Sequence, residues 1–183
     1  DIIYGVNPAV EAWKDKGTSG INLTQTTSAN QPDLVLGGTP ADNYLAFSTA
    51  SYMDGLQSIS GDMSIYFRAD MTNSLGATAK ILTDSAGGTT AGDFKKLSGN
   101  SLRLISAEGN SNDFTGFTVT GGMKDYALII EGSEGRLYEN SILVSTKALT
   151  GTFTTMTRFG SNSGSINSNV EYFRVIDSAI NPT

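Results

Sequence analysis

The most constraining stretch of the chain is Met63-Ser-Ile-Tyr-Phe-Arg-Ala-Asp-Met71. Met63, Ile65, Phe67, Ala69 and Met71 are apolar, and Ser64, Tyr66, Arg68 and Asp70 stand between them. Successive side chains of an extended backbone point to opposite faces, so this alternation buries one face and leaves the other polar. A helix would scatter the same residues around its circumference. The stretch therefore predicts a strand of an antiparallel sheet packed on one side only, and a second layer must cover its apolar face.

The rest of the chain supplies candidates for both layers. Asp93–Leu97 and Ser101–Ser106 flank Ser98-Gly99-Asn100 as a short hairpin. Arg136–Glu139 and Ile142–Ser145 are separated by Asn140-Ser141, and Asn tolerates the left-handed backbone that a two-residue turn requires. Tyr126–Ile130 is a continuous apolar run expected near a sheet centre, with Glu131–Gly135 turning it into the next strand. Further strands are expected at 2–6, 44–48, 78–83, 115–120, 153–159 and 170–177. One helical signal stands near the start. Asn7 can cap, Pro8 suits the first helical position, and Ala9–Trp13 follows before Lys16-Gly17, which predicts a single short N-terminal helix. Segments 17–31 and 160–169 read as loops inside the domain, and no linker divides the chain. One all-β domain over residues 1–183 is the expectation.

Composition narrows the chemistry. Charged residues make up 16% of the chain, against about 25% in an ordinary globular domain. With no Cys and no His, thiolate nucleophiles, imidazole relays and Cys- or His-based metal sites are excluded. The net charge of −6 argues against a nucleic-acid partner, which needs a basic surface. No apolar run approaches the roughly 18 residues of a membrane-spanning helix, so no membrane insertion is expected. The chain starts at Asp1 without an initiator Met, as a native, processed or trimmed terminus would each allow.

Several segments resemble the concanavalin A-like superfamily, in its laminin G-like (LamG) jelly-roll form. Leu137-Tyr-Glu-Asn-Ser-Ile-Leu-Val144 is similar to the strand-turn-strand "lYvdGklv" of that family. Glu171-Tyr-Phe-Arg-Val-Ile-Asp-Ser-Ala-Ile-Asn181 follows its closing strand, "deVrIynraLs". Ala12-Trp-Lys-Asp-Lys-Gly17 with Ile21–Gln25 looks like the opening "sWkDksGnGndltq", and Tyr44–Phe47 and Ser60–Phe67 look like the "yl.f" and "dfTisfw" strands. The resemblance implies a jelly-roll sandwich of two antiparallel sheets with variable loops at one rim. It implies no single activity, because one fold hosts many functions.

Retaining glucanases of the superfamily use two Glu and an Asp along one strand, with carboxylates about 5 Å apart. Here the nearest pair, Glu131 and Glu134, falls in an expected tight turn, and the His of the lyase members is missing. The chain is therefore expected not to be an enzyme. No cofactor is required. Calcium, which relatives hold through rim carboxylates and amides, has only weak candidates in Asp42, Asn43 and Asp84. Sugar binding needs an aromatic platform and oriented amides or carboxylates. Tyr52 and Phe114, with Asn110, Asn112 and Asp113, supply those atom types from expected loops. Trp13 and the strand-borne Tyr66, Tyr126, Tyr138, Tyr172, Phe67, Phe153, Phe159 and Phe173 read as core or sheet-face residues. The expectation is a non-catalytic recognition or display module on a virion surface or an extracellular bacterial structure, binding a surface glycan. The alternative is a decoration or fibre subunit that binds neighbouring structural subunits or copies of itself.

Overall fold

The computed structural model describes residues 2–4, 9–14, 22–36, 43–56, 61–83, 92–153, 157–161, 164 and 166–182. Sixteen strands run through these residues: β1 (Ile2–Tyr4), β2 (Val10–Lys14), β3 (Asn22–Thr24), β4 (Asp33–Val35), β5 (Tyr44–Ala46), β6 (Tyr52–Asp54), β7 (Met63–Asp70) and β8 (Ala79–Thr83). They continue with β9 (Phe94–Lys96), β10 (Leu102–Ile105), β11 (Ser111–Phe114), β12 (Met123–Glu131), β13 (Glu134–Glu139), β14 (Ile142–Ala148), β15 (Arg158–Gly160) and β16 (Asn169–Ile176). One sheet has the order β1-β2-β3-β6-β15-β8-β9-β10-β11, the other β14-β13-β12-β7-β16-β5-β4, and all pairings are antiparallel. The expected all-β sandwich of two antiparallel sheets is what the chain forms.

The alternation in β7 places it as expected. Met63, Ile65, Phe67 and Ala69 are buried in the core that the two sheets share. Phe67 meets Phe94 of the opposite sheet edge-on at 6.3 Å and stacks on Tyr126 of the adjacent strand at 5.1 Å. Phe159 of β15 reaches Phe173 of β16 across the same gap at 4.6 Å. Burying one such side chain stabilises the fold by roughly 1.5–3 kcal/mol relative to exposure, and the edge-on and stacked geometries add to that.

Three expectations are corrected. The N-terminal helix is not formed: Val10–Lys14 is strand β2, paired with β1 on one side and β3 on the other, and residues 7 and 8 lie outside the described residues. A helix of one or two turns cannot recover its nucleation cost alone, whereas two flanking strands satisfy the same backbone groups and Val and Trp suit extended chain. Trp13 packs, partly buried, against the core, as expected of it. The second correction concerns 110–120, where the strand is Ser111–Phe114 and not 115–120. Within the segment 17–31 expected to be a loop, Asn22–Thr24 forms β3. The hairpin at Asn140-Ser141 is confirmed, with φ of 51° and 65° at the two turn residues, the left-handed pair that a tight two-residue turn demands.

Candidate functional site

In an antiparallel sheet, residues directly opposite one another share a face. On the outer side of the seven-stranded sheet this register assembles two useful rows. Leu143, Tyr138, Ala127, Tyr66 and Arg174 lie opposite one another on β14, β13, β12, β7 and β16. Beside them, Asp125, Arg68 and Tyr172 form the next row on β12, β7 and β16. Three tyrosines and two arginines thus occupy one open face.

Each ring is anchored through its hydroxyl. Tyr172, on β16, donates to Asp125 Oδ1 on β12 at 2.9 Å, two strands away, so its ring lies across β7. It remains 41% exposed. Burial and then the hydrogen bond to Asp125 push its hydroxyl up to about 12, so it is a neutral donor at physiological pH. Tyr66 donates to Ile180 O, and Tyr138 donates to Asn181 Oδ1 at 3.1 Å. Between the rings, Arg68 holds Asp125 at 2.8 Å and Glu171 at 2.7 Å. Glu171 is the residue at the β16 bulge, where the register skips between Val170 and Tyr172.

The segment 177–182 closes one end of this face. Ser64 Oγ accepts from Ile180 N at 2.7 Å and donates to Ser178 O at 2.6 Å. Ser64 and Ile129, opposite each other on β7 and β12, point away from the interlayer core yet are fully buried. The returning segment is bonded to Ser64 and covers it. It also supplies the acceptors that pin Tyr66 and Tyr138.

The residues singled out from the sequence are arranged differently. Tyr52 stands on β6 and Asn112–Phe114 on β11, five strand spacings apart in the nine-stranded sheet, about 24 Å along it. They do not form one site. Phe114 is fully buried in the core and presents no face to a ligand. Asn112 is buried too: its Nδ2 donates to Leu104 O, Asn110 O and Thr150 O, and its Oδ1 accepts from Thr150 N at 2.8 Å. Asp113 is held bidentately by Arg103, at 2.5 and 2.8 Å, which keeps its carboxyl below the usual range. It neutralises one end of a cross-strand row that continues through Arg103 and Lys95 to Lys80. Asn110 is exposed at the entry to β11. The guanidinium of Arg158 sits 3.8 Å over the Tyr52 ring while it clasps Asp54 at 2.7 and 3.0 Å, so one face of that ring is occupied. Glu131 and Glu134, expected inside the turn, stand at its edges as the last residue of β12 and the first of β13, both bound to Arg136 at 2.6 and 3.1 Å.

Asp42 and Asp84 lie outside the described residues, and Asn43 is half-buried beside β5. Among the described residues, no group of three His, Cys, Asp or Glu side chains is placed to hold a metal ion.

The fold and the face together define a class, a two-sheet antiparallel β-sandwich that presents an open, tyrosine-bearing sheet. Comparison with solved structures finds this sandwich elsewhere. The chain is similar to the binding domain of Paraclostridial Mosquitocidal Protein 1 (13% identity, TM-score 0.69), covering 97% of this chain and 48% of that one. It is similar to the binding domain of botulinum neurotoxin serotype C1 (15% identity, TM-score 0.58), covering 95% of this chain and 50% of that one. It is also similar to Trypanosoma rangeli sialidase in complex with 2,3-difluorosialic acid (11% identity, TM-score 0.62), covering 98% of this chain and 30% of that one. The chain therefore spans half or less of these proteins' lengths, and what they share with it is the fold. No protein-family model and no curated protein matches the sequence.

Proposed function

We propose that the chain is a non-catalytic, glycan-binding recognition module of the LamG-like kind, displayed on a virus particle or a bacterial surface structure. The observation that carries this reading is the open face of the seven-stranded sheet. There Tyr66, Tyr138 and Tyr172 are each fixed by a hydroxyl hydrogen bond before any ligand arrives. Pinned aromatic rings offer flat apolar surface to sugar C–H groups at little further cost in side-chain entropy. The toxin neighbours are binding domains by name, and the sialidase likeness covers 30% of that chain, which supports recognition over catalysis. The two carboxylates of the face, Asp125 and Glu171, both bind Arg68, an arrangement of ion pairing and not of an acid facing a nucleophile.

The test is a glycan array probed with the purified chain, with and without calcium, alongside Tyr172→Ala. Binding that Tyr172→Ala abolishes is expected; uniform absence of signal refutes the reading. One observation favours assembly as a second reading. Ile142 and Leu143, at the tip of the β13–β14 hairpin, are 67% and 50% exposed. Light scattering would show an obligate oligomer if that apolar tip joins copies of the chain, and a monomer if it does not.

A further inference from the structure

Arg174 is exposed at the end of the row that holds Tyr66, and it is two residues from Tyr172 on the same face of β16. Among the described residues it forms no ion pair and no hydrogen bond. The other arginines of this sheet are paired, Arg68 with Asp125 and Glu171 and Arg136 with Glu131 and Glu134, and Lys124 is paired with Glu139. The chain carries 18 acidic residues against 12 basic ones, so an unpaired guanidinium is unusual on charge grounds alone.

We infer that this face selects a carboxylate-bearing saccharide, with the carboxylate on the Arg174 guanidinium and the sugar ring on Tyr172; the inference rests on the glycan reading above. A guanidinium presents parallel N–H donors in a planar fork that matches the two oxygens of a carboxylate. Arg68 holds both Asp125 and Glu171, so neither of those carboxylates is placed on the Arg174 guanidinium. Two residues along the strand separate the Cα atoms of Arg174 and Tyr172 by about 6.8 Å, a spacing on the scale of one pyranose ring with a carboxylate substituent. Tyr66, directly opposite Arg174 on β7, bounds the subsite across the strands. One guanidinium provides for one negative charge, which favours a carboxylate over a multiply charged ester.

The experiment is calorimetric titration of the chain with saccharides ending in a hexuronate or a nonulosonate, each compared with its own methyl ester and with a sulfated saccharide of equal length. The free acids are expected to bind at least tenfold more tightly than their esters, with an affinity that falls as salt rises. Arg174→Gln is expected to remove the preference for the acid over its ester, and to leave the thermal midpoint unchanged. Arg174→Lys is expected to retain part of the preference. Equal binding of acid and ester, undiminished acid binding by Arg174→Gln, or preference for the sulfated saccharide overturns this inference while the glycan reading survives. Failure of the wild-type chain to bind any saccharide overturns both.

Discussion

Ser64→Ala tests how the C-terminal segment is held on the tyrosine face. In the native chain Ser64 Oγ makes two short hydrogen bonds, accepting from Ile180 N at 2.7 Å and donating to Ser178 O at 2.6 Å, and Ser64 is fully buried. If the segment stays down in the variant, the Ile180 N–H is left without its acceptor, which costs about 1–3 kcal/mol for a buried donor. If the segment lifts, water satisfies those groups, but its hydrogen bonds with Tyr66 and Tyr138 are lost as well, at about 0.5–1.5 kcal/mol each. Both routes cost about 2 kcal/mol, which for a domain of this size lowers the thermal midpoint by about 4–8 °C. Thermal unfolding followed by circular dichroism measures the total. Hydrogen exchange at the Ile180 amide reports the local event, and it is expected to lose protection in Ser64→Ala while amides of β7 and β12 keep theirs. An unchanged midpoint with an equally protected Ile180 amide would refute the account of how this face is closed at one end.

Phe67→Ala removes a ring held between Phe94 and Tyr126, and a loss of about 3–5 kcal/mol by chemical denaturation is expected; a loss below 1 kcal/mol would contradict its place between the sheets. Lys96, fully buried with its Nζ donating to Ala77 O, Leu97 O and Asn100 Oδ1, has its pKa pushed down by burial. The folded state therefore binds this proton less readily than the unfolded chain. Relative to Lys96→Met, wild-type stability is expected to rise between the depressed folded value and the ordinary lysine value near 10.4; denaturation midpoints from pH 7 to 10.5 check the sign. Asp113, lowered by Arg103, contributes stability above its unfolded pKa that is lost as pH falls through its folded one. Asp113→Asn should cost at most about 1 kcal/mol at pH 7 and leave a difference from wild type that vanishes in acid.

How far the residues disclosed these arrangements varies from place to place. The two faces of Met63–Asp70 are legible because the period of two is local: each side chain is placed by its own backbone. The turn at Asn140-Ser141 is legible for the same reason. Asn110–Phe114 was misleading because Asn and Asp favour turns, and nothing in a linear chain shows that Asn112 bonds to Thr150 or that Phe114 enters the core. The neighbouring lysines are a sharper case. Lys95 faces out and Lys96 is buried, a choice that depends on the pairing of Lys96 with Leu102 and on distant carbonyls that accept its protons. The tyrosine face was visible only as separate strand positions.

What the sequence determined on its own follows from interactions within a few residues: a chain of alternating strands, tight turns where left-handed backbone is tolerated, and the exclusion of thiol and imidazole chemistry. What the tertiary structure decided is which strands stand side by side. Ser64 and Ile180 are 116 residues apart in sequence and 2.7 Å apart in space, and Tyr172 reaches Asp125 across an intervening strand. Register between distant segments is a collective outcome of core packing and of the hydrogen-bond ladder, so the tyrosine-bearing face exists only once the whole sheet has closed.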